Sequence, residues 1–498
     1  MDRIEAETET HRTEKALKTI APAARLPFGL GTVRIFTDQA IATSHVGQHL
    51  TVILAHLLAR MKGTVSTVLI PEHFTRTPLT DGVPLVGNTL LDGLTDLVNS
   101  LSGPRSDYTV RLDQDGRDAD VTVAIGVDTG DIRVGADGWR AFTGDQVERS
   151  RWGDKAPFGP YMAATMAAAQ TLRALIRINW DEPWVAPEDI AFSLYDYTVG
   201  AGATPGPDLN HLRLADITLA GAGAGGTAAL YTLASLPVLD GRLTIVEPGR
   251  HKLSNLGRYL TTTYQDVDSQ AHKLETAQRF LSSHAPALHV EPVPRTWEID
   301  PRPAGLVIAS VDTLEGRWAI QHDVDGIILE AGVDGFLYTA LRVADGGRCL
   351  ECKTPRDPDY ANIRRAKIWG LDVSEVKSRQ IANPPITRND LIRLANVQNR
   401  SADHYIELEG TAWNDAPPLV ECGDTRLSAV VPDQVGTLPV ATTAAGVVLG
   451  AEVAKHFTGL GHPLNNTLEH LIDRGPTSRS QRSRPPRPGC PNHRSGAR

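Results

Sequence analysis

A doubly wound α/β fold is predicted for the second half of this chain, preceded by an N-terminal α/β domain. Three observations predict it. Gly221, Gly223 and Gly226 form G-x-G-x-x-G between a short apolar strand at 216–220 and a helical stretch ending near 236. β-branched apolar segments alternate with helix-length segments on both sides of that loop, the pattern of a mainly parallel sheet. Each half also closes on an Ala-rich helix after a Gly-Pro or Leu-Pro step, FGPYMAATMAAAQTLRALI in one and TLPVATTAAGVVLGAEVAKHF in the other. This shared plan suggests that the N-terminal domain is an inactive copy of the same fold, because it lacks the glycine loop.

Taken in order, residues 1–25 are polar and read as a flexible arm, and 26–200 as the N-terminal α/β domain. Within it, 32–36, 64–70 and 120–126 read as strands, and 45–61 and 158–178 as helices. Residues 200–207, with their Pro and Gly, read as a linker. The second α/β domain runs over 210–352, with further strands at 242–247 and 306–310. Residues 353–420 are polar with little periodicity and read as an insertion that could contact a substrate. Residues 421–498 return to the second domain through an Ala/Gly/Val helix at 436–457. The Arg-, Pro- and Ser-rich tail from 474 has the composition of a disordered segment.

The composition is that of an ordinary globular protein, with 41% hydrophobic and 22% charged residues among 498. A net charge of −9 argues against nucleic acid, which selects a basic excess or patch. No apolar run reaches the roughly 20 residues of a membrane helix, and the polar N-terminus has no signal-peptide core, so a cytoplasmic protein is expected. The Ala/Gly/Arg/Asp-rich composition suggests a high-GC bacterial source. There are four cysteines, Cys349, Cys352, Cys422 and Cys490. In a cytoplasmic chain a close pair reads as metal or redox chemistry.

In the Rossmann-like loop, the first glycine permits the tight turn, the second lets the backbone approach a phosphate, and the third lets helix and strand pack closely. The helix start then offers free N–H groups to an anion. Glu247 ends the next strand about 20 residues on, where a carboxylate can accept from ribose hydroxyls. To this point NAD fits as well as ATP, and a βα turn that binds nothing remains open.

The next residues, EPGRHKLSNLGRYL, separate the two nucleotides. They resemble the ubiquitin-activating and ThiF/MoeB-type adenylyltransferase family, in which an acidic strand end precedes Ser-Asn-Leu-x-Arg, here Ser254 to Arg258. The family then has a Lys near a helix start, matched by Lys273, and an Asp after an apolar strand with an Arg five residues later, matched by Asp312 and Arg317. Any one of these would ordinarily be a solvated charge. The resemblance rests on their joint order, covers about 214–352, resumes over 422–493, and leaves out the first 200 residues. It implies ATP and Mg2+. Arg258, as a bidentate fork, and Lys273, as a point charge, would stabilise phosphoryl oxygens, Asn255 would hydrogen-bond one, and Asp312 would hold Mg2+. The chain departs from the family at Glu247 (usually Asp), Gly249 (usually a second Asp) and Tyr259 (usually Gln). No segment lending an arginine to a partner site is evident.

Cys349 and Cys352 form C-x2-C, and Cys490 and His493 form C-x2-H near the C-terminus. Four such ligands favour tetrahedral Zn2+; a redox pair and unpaired thiols are the alternatives. Family members carry two such pairs at these places, the second usually with two cysteines. Some relatives also carry a cysteine after the zinc pair that forms a thioester or persulfide. Cys422 is loosely comparable, and a structural cysteine is the stronger reading.

The implied function is ATP-dependent adenylylation of the C-terminal carboxylate of a ubiquitin-like or sulfur-carrier protein or peptide, in a homodimer or an intramolecular pseudo-dimer. The alternatives are an NAD-dependent oxidoreductase, which leaves Asn255, Arg258, Lys273 and the zinc ligands unexplained, and a non-catalytic scaffold with the same fold.

Overall fold

The computed structural model describes residues 31–61, 65–102, 108–113, 118–175, 189–297, 305–334, 337–344, 347–355, 359–398, 401–416, 438–472, 475–476 and 481–493. The N-terminal arm and Cys422 lie outside the described residues.

In the first half, strand β1 (Gly31–Phe36) leads into a short helix α1 (Gln39–Ala42) and then α2 (His45–Arg60). Strand β2 (Val65–Ile70), helix α3 (Leu90–Leu101), strands β3 (Thr109–Leu112), β4 (Val121–Ile125), β5 (Ile132–Ala136) and β6 (Arg140–Thr143), helix α4 (Phe158–Leu175) and strand β7 (Ala191–Ser193) follow. The sheet order is β3-β2-β1-β4-β5-β6-β7. Its first five strands are parallel, and β6 and β7 run antiparallel.

The second half opens with β8 (His211–Ala220), α5 (Ala224–Ala234), β9 (Val238–Val246), α6 (Leu253–Leu256), α7 (Tyr264–Asp268), α8 (Lys273–His284) and β10 (Leu288–Val293). Strand β11 (Leu306–Ala309), helix α9 (Leu314–Asp323), strands β12 (Ile327–Asp334) and β13 (Leu337–Val343) and helix α10 (Leu350–Lys353) come next. Its sheet order is β10-β9-β8-β11-β12-β13, extended by β14 (Thr467–Leu471) and β15 (Gln481–Arg482). Parallel pairing from β10 to β12 gives way to antiparallel pairing from β13 onward. Through β14, the two sheets therefore share one strand order and one change of direction, as expected of a duplicated unit.

The insertion follows α10. Helices α11 (Tyr360–Trp369), α12 (Val373–Ala382) and α13 (Arg388–Gln398) surround a small core of their own with Trp369, Val376, Leu391, Leu394 and Trp413. The Arg365 guanidinium lies 4.3 Å above the Trp413 ring and donates to Trp413 O, a cation–π contact that covers the indole. The chain returns through α14 (Pro439–Thr458), one continuous helix.

Helices α4 and α14 occupy corresponding places in the two halves and pack against each other. Every residue of α4 from Phe158 to Leu172 and of α14 from Pro439 to Lys455 is buried. A helix apolar on all sides needs cover on all sides, and here each supplies part of the other's. One continuous core spans both sheets. Polar contacts cross the same boundary: the Tyr161 hydroxyl meets Ser235 Oγ, and the His56 ring lies 5.5 Å from that of Tyr231. Among the described residues, no helix is long and apolar enough to cross a membrane.

Candidate nucleotide and metal sites

In the second sheet, β8 and β11 are the neighbours from which the chain winds in opposite directions. Open α/β sheets bind ligands at that switch point, outside the carboxyl ends of the strands. The glycine loop sits there. Gly221 has φ +91, and a Cβ on it would stand 2.5 Å from Ser310 O; one on Gly226 would stand 2.5 Å from Gly221 O. Only glycine fits either position. Ser310, directly after β11, donates its N–H to Ala220 O (2.8 Å) and accepts from Gly226 N through Oγ (2.8 Å). Sequence reasoning missed this serine, whose sole signal was its place at a strand end.

Helix α5 begins with Gly223 as N-cap and without a side-chain cap. Among the described residues, the amides of Ala224 and Gly225 have no acceptor. At the corresponding start of α2 in the first half, the second and third amides are taken. Val46 N–H donates to Trp152 O (3.3 Å), Gly47 N–H to Ser44 Oγ (3.0 Å) and Gln48 N–H to Ser44 O (3.0 Å). Helix α1, capped by Asp38, takes the place of a glycine loop.

Glu247 lies buried at the end of β9, its Oε2 accepting from Ala222 N (2.8 Å) and its Oε1 from Gly249 N (2.6 Å). The longer Glu side chain thus folds back and braces the loop. Lys273, first residue of α8, has Nζ 3.8 Å from Glu247 Oε1 and 5.6 Å from the centre of the Tyr259 ring. The Tyr259 hydroxyl reaches to within 3.9 Å of where a Cβ on Gly223 would be. Tyr259, one of the three residues that depart from the family pattern, therefore faces the glycine loop.

Asn255 and Arg258 lie on the segment that starts with α6. Asn255 Oδ1 accepts from Lys252 N (2.8 Å), and Arg258 is half-buried with Nε donating to Ser254 O (3.2 Å). His251 is held between Thr276 Oγ1 (3.1 Å) and Thr262 Oγ1 (3.4 Å). Burial lowers it to about 4, so it is neutral at pH 7. Asp312 is exposed two residues beyond Ser310. The loop, Glu247, Lys273 and Tyr259 are thus linked by short contacts, and Asp312 lies on the same sheet edge.

Beside this edge is a buried ionic cluster that the sequence did not reveal. Glu330 on β12 is fully buried, with Oε2 2.5 Å from Lys353 Nζ and Oε1 3.6 Å from Arg317 Nη1. Lys353 also donates to Thr339 Oγ1 (3.0 Å). Burial alone would push the Glu330 carboxyl up; the Lys353 and Arg317 cations outweigh it and hold it below its ordinary value.

Lys353 directly follows the C-x2-C pair. Sγ of Cys349 is 3.6 Å from Sγ of both Cys352 and Cys490, and one ligand atom from each of Cys349, Cys352, Cys490 and His493 lies within 4.8 Å of the others. Thiolates about 2.3 Å from a tetrahedral zinc stand at such separations. His493 Nε2 is buried without a hydrogen-bond partner, and Arg487 N donates to Cys352 Sγ (3.2 Å). Three sulfurs and one orphaned imidazole nitrogen fit zinc and leave no ligand position for a substrate.

The chain is similar to the uncharacterized protein y4jF of Sinorhizobium fredii (strain NBRC 101917 / NGR234), at 25% identity over 391 residues, 73% of either chain. Among solved structures it is similar to E. coli MccB with succinimide, at a TM-score of 0.35 and 14% identity over 55% of this chain. It is also similar to PaaA, at a TM-score of 0.21 and 18% identity over 25% of this chain. It spans 65% of the MccB chain and 39% of the PaaA chain. The sequence model of the ThiF family matches residues 195–492, well over half of the 498, and the chain belongs to the ThiF family.

Proposed function

We propose that the second half binds Mg-ATP and adenylylates a carboxylate, the free C-terminus of a ubiquitin-like or sulfur-carrier protein or of a peptide. The observation that carries this reading is the contrast between the two halves. The start of α5 leaves two amides without an acceptor beside a glycine loop, whereas at the start of α2 the amides of Val46 and Gly47 are taken and a capped helix, α1, stands in place of the loop. Helix starts of the first kind bind phosphate.

In this reaction a carboxylate oxygen attacks the α-phosphorus, a P–O bond forms, and the bond to pyrophosphate breaks. Catalysis consists mainly of placing donors where negative charge builds. Arg258 and Lys273 would stabilise the phosphoryl oxygens, and Asn255 would donate to one through its amide nitrogen, since its Oδ1 is already engaged. Glu247 would accept from the ribose while keeping the loop amides in place. Mg2+, held by Asp312, would neutralise charge on the phosphates.

In this account the first half is the inactive partner of an intramolecular pair, and zinc is structural, tying the C-terminal segment to α10. Cys422 and the helical insertion are the candidates for meeting the second substrate, Cys422 either as acyl acceptor or as a structural thiol. Purified protein is expected to carry one zinc per chain by elemental analysis, and Cys490→Ser to lose it. A folded, zinc-free wild type would remove the metal from this account.

The direct test is ligand-induced stabilisation. Mg-ATP at 100 times its Kd should add about 2.7 kcal/mol and raise Tm, with NAD having no effect. Stabilisation by NAD alone would make the chain an oxidoreductase, and none by either would make it a scaffold.

A further inference from the structure

We infer that Arg60, the last residue of α2 in the half without a glycine loop, is a positioning residue for the nucleotide site of the other half. The inference rests on the adenylylation reading for its functional consequence but not for its geometry. Arg60 is 4% exposed. Its Nη1 donates to Leu256 O, and its Nη2 donates to Leu260 O (2.9 Å), Thr262 O (3.1 Å) and His56 Nε2 (2.9 Å). The three carbonyls bracket Arg258 and Tyr259 in sequence. One guanidinium from the first half thus fixes the path of the segment carrying Arg258 and Tyr259, the latter facing the glycine loop.

The residue type follows from the task. A planar fork with five donors can satisfy several carbonyls at once in a fixed arrangement, which a lysine ammonium cannot. His56, one turn earlier on α2, completes the fork as an acceptor. Burial, and then the neighbouring Arg60 charge, lower His56 well below its ordinary value and keep it neutral, so that Nε2 accepts. Helix α2 is held in register by the core it shares with α4, which in turn packs on α14. The first half therefore acts on the site through the backbone of residues 256–262, with Arg60 spending its donors on carbonyls.

The test uses the full chain. Hydrogen exchange on wild type without nucleotide should show the amides of Arg258, Tyr259 and Thr262 as slow as the core of β8. Fast exchange there would overturn the clamp whatever the protein binds. Arg60→Met should speed exchange over 253–262 and weaken Mg-ATP binding by about 5- to 20-fold, whereas in an Arg258→Ala background the same change should cost less than about twofold, since residues acting through one another do not add. Equal losses in both backgrounds, or unchanged affinity, would reduce Arg60 to an ordinary core residue. If wild type binds no Mg-ATP, the adenylylation reading fails, and the exchange rates still decide the clamp.

Discussion

Replacing Arg258 with Ala is expected to weaken Mg-ATP binding by about 10- to 100-fold. Hydrogen bonds to charged groups contribute about 1.5–3 kcal/mol each, and a guanidinium facing a phosphate can make two of them. The side chain is half-buried, and its Nε donates to Ser254 O within its own turn. Lys273→Ala should act in the same direction. It should also unsettle the loop, because the ammonium stands 3.8 Å from the carboxylate that braces Ala222 and Gly249. Titration calorimetry on the two variants separates these effects. If Arg258→Ala binds Mg-ATP as wild type does, the assignment of this segment to the phosphates is lost.

The second large effect is on stability. Glu330→Ala removes the anion from a fully buried site and leaves Lys353 and Arg317 without it. Breaking a buried pair from one side costs about 3–5 kcal/mol, whereas replacing both partners by apolar groups is often neutral. Glu330→Leu with Lys353→Met should accordingly recover most of the loss. Urea unfolding measures both, and a loss below about 1 kcal/mol for the single variant would contradict the burial of the pair. Because Lys353 adjoins Cys352, the single variant should also release zinc more readily to a chelator. Acid has the same sign. The Glu330 pKa is lowered in the folded state, so its contribution is present above the unfolded carboxyl value and lost as pH falls through the lower folded one.

What could be read from the sequence was what depends on local pattern. The glycine loop, the apolar strands flanking it and the two Ala-rich helices lie where periodicity and spacing put them, because each is determined by residues next to one another. The matching strand orders bear out the α/β fold with its N-terminal counterpart. Residues 353–420 gave little pattern because α11, α12 and α13 each bury only a narrow stripe around Trp369 and Trp413 and carry charge elsewhere. Strands β5, β6 and β7 are three to five residues long and gave too few positions to show a period. Arg60 and Glu330 were invisible for a different reason. One looks like any basic residue in the last turn of a helix, and the other like an isolated charge in a strand. Their partners are close only after folding, 196 to 202 residues away for the Arg60 carbonyls.

The packing of α4 against α14 also sets an order of events during synthesis. Roughly 260 residues separate Leu175 from Pro439, which at about 5–20 residues per second is roughly 13–50 s of translation. Throughout that interval the first half has its strands and helix α2 in hand, but α4 has no helix to cover its alanine-lined side. The nascent chain therefore passes through a long stage in which an apolar strip is open to chaperones, and the nucleotide segment closes onto Arg60 only against a scaffold already made.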